Sequence, residues 1–150
     1  MLGLDVGSKT IGLAVSDPLG ITAQGLPTLR RKNKRKDWEE LDRVVREFGV
    51  SEFVVGYPLH MSGAQTAGSV RISDFAEQLR TQFGLPVHLW DERLTTAEAQ
   101  RVLRESEMSI RRRSEVVDRL AAVLILQSFM ENRKNTRPVD AGNDKNDLQP

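Results

Sequence analysis

The sequence predicts an α/β fold, a mixed five-stranded sheet flanked by helices. Two observations carry this. Up to residue 29, short segments of β-type alternation are separated by turn residues, with no helical period, so three strands pair as an antiparallel meander. From residue 37 onward, amphipathic helical stretches alternate with short apolar runs, the pattern of parallel strands joined by crossover helices.

Leu2 to Val6 reads as a strand, and Gly7-Ser8-Lys9 supplies its turn. Ile11 to Asp17 is the second strand, with Ile11, Leu13 and Val15 on one face and Gly12, Ala14 and Ser16 on the other. That second face is small enough to admit a helix or a ligand at close range. Pro18-Leu19-Gly20 turns the chain into a third strand, Ile21 to Leu29, and the basic run after it reads as a loop. Asp37 to Phe48 is helical, because Trp38, Leu41, Val44, Val45 and Phe48 recur at helical spacing and Gly49 ends the run.

Glu52 to Tyr57 follows as a short buried strand, then Pro58 to Gly68 as a polar loop. Val70 to Phe83 is a second amphipathic helix stopped at Gly84, and Val87 to Trp90 is the fifth strand. Thr95 and Glu98 form a capping-box pattern for a helix from about residue 96 to 105. Met108 to Arg113 is a connector, and Ser114 is positioned to cap a long helix reaching about Arg133. Residues 135–150, rich in Asn, Asp, Gly and Pro, read as a disordered tail behind a single domain spanning 1–134.

A chain of 150 residues has room for one full core. With 39% hydrophobic and 29% charged residues it is soluble and globular in composition, and no apolar run is long enough for a membrane helix. No basic leader precedes the first strand, so no signal peptide is expected. Cysteine is absent, which excludes disulfides and thiolate metal sites and fits a cytoplasmic protein. The net charge of +1 conceals two basic clusters, Arg30 to Lys36 and Arg111 to Arg113, which suit a phosphate-rich partner such as nucleic acid.

Three acidic residues stand at the ends of core elements. Asp5 closes the first apolar run. Glu92 closes Val87-His88-Leu89-Trp90-Asp91-Glu92. Asp118 precedes Leu120 to Leu126, the most apolar stretch, and shares a helical stripe with Ala122, Ile125 and Phe129. Buried carboxylates are costly unless paired, protonated or bound to metal, and ligands in this topology favour the carboxyl ends of parallel strands. The three therefore read as one convergent anionic site. Hard oxygen donors without His or Cys suit Mg²⁺ or Mn²⁺. Strand alternation groups Asp91 with Val87 and Leu89, and Glu92 with His88 and Trp90. Both faces of a central strand are buried, so alternation does not choose between the two acids.

Other features carry less. Gly7-x4-Gly12 fails the phosphate-loop pattern, since Leu13 and Ala14 replace the required Lys and Ser/Thr. His88 reads as a packed strand residue and His60 as a loop residue. Trp38 and Trp90 fall at core positions.

These segments together resemble the YqgF (RuvX) family of bacterial proteins, named as Holliday-junction resolvases and pre-16S rRNA nucleases. The resemblance rests on Leu4-Asp5-Val6-Gly7-Ser8-Lys9-Thr10-Ile11-Gly12 and its continuation to Asp17, on Val54-Val55-Gly56-Tyr57-Pro58-Leu59 with Gly63, on Asp91-Glu92-Arg93-Leu94-Thr95-Thr96 with Ala99, and on Val117-Asp118 with Ala121 to Gln127. It covers about residues 1–133. His60 and Ser62 depart from the residues common in the family's loop. The resemblance implies an RNase H-like fold, with Asp5, Glu92 and Asp118 as catalytic, metal-binding carboxylates, and it favours Glu92 over Asp91.

The expected function is metal-dependent hydrolysis of phosphodiester bonds in structured nucleic acid, with Mg²⁺ or Mn²⁺ as cofactor. Pre-16S rRNA processing in ribosome biogenesis is placed first. Resolution of branched DNA by a homodimer, or a non-catalytic nucleic-acid-binding role, is the alternative. Lys9, Arg30, Arg31, Arg93, Arg112 and Arg113 are the expected phosphate contacts.

Overall fold

The computed structural model describes residues 1–58, 62–92 and 118–133. Five strands form one sheet: β1 (Leu2–Val6), β2 (Thr10–Ser16), β3 (Ala23–Arg30), β4 (Phe53–Tyr57) and β5 (Val87–Asp91). Two helices join them, α1 (Lys34–Phe48) and α2 (Ala67–Phe83), and residues 118–133 are helical and here called α3. The strand order is β3-β2-β1-β4-β5, so β5 is an edge strand and not the central strand that the sequence reading takes it for. β1 pairs antiparallel with β2, and β2 with β3, whereas β1–β4 and β4–β5 are parallel. This is the meander followed by crossovers that the sequence predicts.

The two sheet faces differ in side-chain size. Leu2, Leu4, Ile11, Leu13, Phe53 and Val55 fill one face and are essentially inaccessible beneath α1 and α2, with Leu41 and Leu79 opposite them. Each such side chain contributes roughly 1.5–3 kcal/mol through burial. The other face carries Gly3, Gly12, Ala14, Gly25 and Gly56, and α3 lies on it through Ala122, Ile125, Leu126 and Met130. A Cβ on Gly3 would come 2.8 Å from the Leu126 Cβ, and one on Gly12 would overlap the Asp118 carbonyl oxygen. The glycines are what bring α3 down onto the backbone, so the small face of β2 is a helix seat.

Helix boundaries differ from the sequence reading for local reasons. The basic run is not all loop: Arg30 ends β3, and Lys34-Arg35-Lys36 form the first turn of α1. Asn33 is the cap, accepting from the Lys36 amide. Asp37 is buried and accepts from the Lys32 amide, folding the preceding chain back onto the helix. α2 likewise begins at Ala67, capped reciprocally by Thr66 and Ser69. A serine plays the part usually taken by Glu or Gln, so the pattern is harder to see. The expected helix 96–105, the connector, Ser114, the tail 135–150 and His60 lie outside the described residues. Among the described residues, no helix is long and apolar enough to cross a membrane.

Candidate active site

β1 and β5 run parallel on either side of β4, so both deliver their carboxyl ends to one edge of the sheet. Asp5 has the parity of Gly3 and projects from the α3 face. Glu92 follows β5 with the parity of His88 and Trp90, which both pack on Phe129 of α3. A Cβ on Gly56, between them on β4, would lie 2.6 Å from the Glu92 Oε1. Glu92 thus leans over a bare strand toward β1. Asp118, at the start of the described part of α3, reaches the same place, and its Oδ2 accepts a 2.7 Å hydrogen bond from the Thr10 hydroxyl of β2.

The electrostatics record the convergence. Burial pushes the Asp5 carboxyl from its ordinary 3.8 up to about 7, and the charges of Glu92 and Asp118 push it the same way. Glu92 is also raised, by burial first and by Asp91 second. Asp5 senses Glu92 and Asp118. Asp91, with the parity of Val87 and paired in register with Tyr57, belongs to the opposite face. Among the described residues, no three acidic or histidine side chains close into a metal-ligating cluster. Glu92 and Asp118 both stand within electrostatic reach of Asp5, and the three fall short of shared ligation. A set of hard oxygens in which Asp5 is destabilised as an anion by burial and by its two acidic neighbours fits a divalent cation, because the cation relieves both costs.

Three of the expected phosphate contacts, Lys9, Arg30 and Arg31, lie near this edge. Lys9 lies exposed in the β1–β2 turn and Arg30 at the exposed end of β3. Arg31 is partly committed to the fold: it donates to the Gly7 carbonyl at 2.8 Å and its Nε lies 3.5 Å from an Asp37 oxygen. Its amide also donates to the Lys9 carbonyl, so Arg31 braces the turn that follows Asp5. Arg93, Arg112 and Arg113 lie outside the described residues. Thr10 escapes the sequence reading. A strand threonine opposite a helix more than a hundred residues away carries no local signal.

Residues 1–132 match the model of the RuvX family, described as Holliday junction resolvase. The chain belongs to the RuvX family. Curated relatives agree. A "Putative pre-16S rRNA nuclease" of Koribacter versatilis is 59% identical over 133 residues, covering 89% of this chain and 87% of the relative. One of the same name from Moorella thermoacetica is 51% identical, covering 87% and 94%. Among solved structures, RuvC of Thermus thermophilus in complex with Holliday junction substrate superposes with a TM-score of 0.57 at 14% identity, covering 90% of this chain and 95% of that one. The Fowlpox virus resolvase with junction DNA gives 0.53 at 14% identity, over 88% and 98%. At such identity the likeness concerns the fold, which is RNase H-like, as the family resemblance implies.

Proposed function

We propose that this RuvX-family protein is a divalent-metal-dependent endonuclease of structured nucleic acid, acting in the cytoplasm on the 5′ end of precursor 16S rRNA. The observation that carries the reading is the coupling of Asp5 to Glu92 and Asp118 at the carboxyl edge of the sheet. The names of the relatives support rRNA as the substrate. Residues 1–134 would form the nuclease domain, with 135–150 as its tail.

In this reading Asp5, Glu92 and Asp118 hold Mg²⁺ or Mn²⁺. When bound, such an ion would lower the pKa of a water and offset charge on the leaving oxygen. The remaining work belongs to the chain. The Thr10 hydroxyl occupies one lone pair of Asp118 and fixes its orientation. Asp5, ionised once a cation is in place, would help to hold it beside the scissile phosphate, and the attacking water would lose its proton to solvent. Water adds across one P–O bond, and the sugar oxygen that leaves takes up a proton. Lys9, Arg30, Arg31, Arg93, Arg112 and Arg113 hold flanking phosphates. The family description favours a second reading, cleavage of four-way DNA junctions, which needs two active sites and so a symmetric dimer.

The test is cleavage of a precursor 16S fragment and of a four-way junction by purified protein with Mn²⁺. Metal-dependent cutting lost in Asp5→Asn supports the reading, and preference between the substrates decides its target. Salt-sensitive binding that needs no metal and survives Asp118→Asn, without turnover, would make the protein a binding factor instead.

A further inference from the structure

Directly across the sheet edge from Asp5 lies a cleft of about 430 Å³ that the carboxylates do not enter. Asp5 projects from the α3 face, and the next residue, Val6, projects from the opposite face and lines this cleft. Gly7 of the turn, Arg31, Lys34 at the start of α1, and Gly68 and Arg71 near the start of α2 line it too. Three cations face one acid, Asp74. The Arg31 guanidinium lies 5.7 Å from the centre of the Phe75 ring, which itself stacks on Trp38 at 5.4 Å. The floor is therefore apolar and the rim is basic. Lys34 and Arg71 are exposed, and neither side chain makes an ion pair or hydrogen bond among the described residues. Such cations cost little desolvation to engage, unlike Arg31, which already braces the turn.

Two further features suit an anion here. The amino ends of α1 and α2 both open on the cleft, since Lys34 and Gly68 belong to their first turns, and helix amino ends favour negative charge. Gly68 also leaves the wall free of side chain where a sugar–phosphate backbone would pass.

We infer that this cleft is a phosphate-binding subsite for the nucleic-acid strand being cut, engaging through Lys34 and Arg71 a backbone phosphate that neighbours the scissile one. The inference rests on the nuclease reading above and adds the path of the strand. The strand crosses the carboxyl end of β1, with the reacting phosphate on the Asp5 side and a neighbouring phosphate on the Val6 side. Lys34 and Arg71 are positioning residues.

The experiment uses the full chain and a precursor 16S fragment. Affinity is measured by fluorescence anisotropy over a salt series with Ca²⁺ in place of Mg²⁺, and cleavage kinetics are followed with Mn²⁺. The double variant Lys34→Ala/Arg71→Ala is compared with Arg46→Ala, an exposed cation at the far end of α1. The double variant should bind at least about tenfold more weakly, with a salt slope smaller by about 1–2, and its KM should rise more than its kcat falls. Arg46→Ala should keep the wild-type slope. Both variants lie on the surface, so unchanged melting temperatures are expected. Equal slopes and equal KM in the double variant would overturn the subsite while leaving Asp5-dependent cutting intact. A wild-type protein that neither binds nor cuts would overturn the nuclease reading and the subsite together. As a readout independent of turnover, a short single-stranded oligonucleotide should shift the backbone amide resonances of Gly7 and Gly68 in the wild type and not in the double variant.

Discussion

The α3 face of the sheet treats carboxylates in opposite ways at its two ends. Before β4, Glu52 is held by Arg133 at 2.6 and 3.2 Å and by His88 at 3.0 Å, and the Met1 ammonium lies close enough to feel its charge. The Arg133 hydrogen bond foremost, and that of His88, lower its pKa from 4.5 to about 2. At the other end, on the same strands and under the same helix, Asp5 climbs to about 7 with two acids for neighbours. The chain can thus satisfy an acid on this face and does so at one end. At the other it gathers three acids, of which Asp118 accepts from Thr10, and the raised pKa of Asp5 is a cost to stability of the kind that functional sites carry.

The largest way to break this contrast is to neutralise Asp5. Asp5→Asn should lower metal-dependent cleavage by at least about 100-fold at unchanged substrate affinity, read by single-turnover kinetics. The same substitution should stabilise the metal-free protein. Between about pH 4 and pH 7 folded Asp5 holds a proton that the unfolded chain releases, so wild-type stability falls as pH rises through that window. Asp5→Asn removes this loss and should gain on the order of 1–3 kcal/mol at about pH 8 and almost nothing at about pH 4, measured by urea unfolding in chelator.

Glu52→Gln should do the reverse. Glu52 is depressed in the folded state, so its contribution is complete above about pH 4.5 and fades as pH falls toward 2. Losing it leaves Arg133 without its carboxylate and should cost about 1–2 kcal/mol near neutrality, with the deficit closing in acid. The smallest effect belongs to Thr10→Val. It keeps the strand and frees Asp118, and calorimetry should show Mn²⁺ binding weaker by about tenfold.

The sequence shows one end of this contrast better than the other. Asp5, Glu92 and Asp118 stand out because each interrupts or borders an apolar run. The small residues of β2 announce a close-packed neighbour, which is α3. Preference for Glu92 comes from the family resemblance in the sequence. In the structure Glu92 lies on the α3 face, by parity with Trp90, with the bare Gly56 beside it. The Glu52–Arg133–His88 set is invisible in one dimension, because its members lie 36 and 81 positions apart and each reads as an ordinary surface or strand residue. Thr10 is hidden for the same reason. The start of α1 is misread because six basic residues suggest a solvated loop, whereas Asn33 and the buried Asp37 convert half of them into a helix turn.

On the proposed function, the carboxyl edge of the sheet binds a divalent cation through Asp5 and its acidic neighbours. The most direct measurement is the ¹³C titration of the Asp5 carboxyl by NMR, without metal and with Mg²⁺. A midpoint near 7 without metal, falling by more than about one unit when Mg²⁺ is added, is the predicted result. A midpoint near that of an ordinary aspartate, indifferent to Mg²⁺, would contradict it.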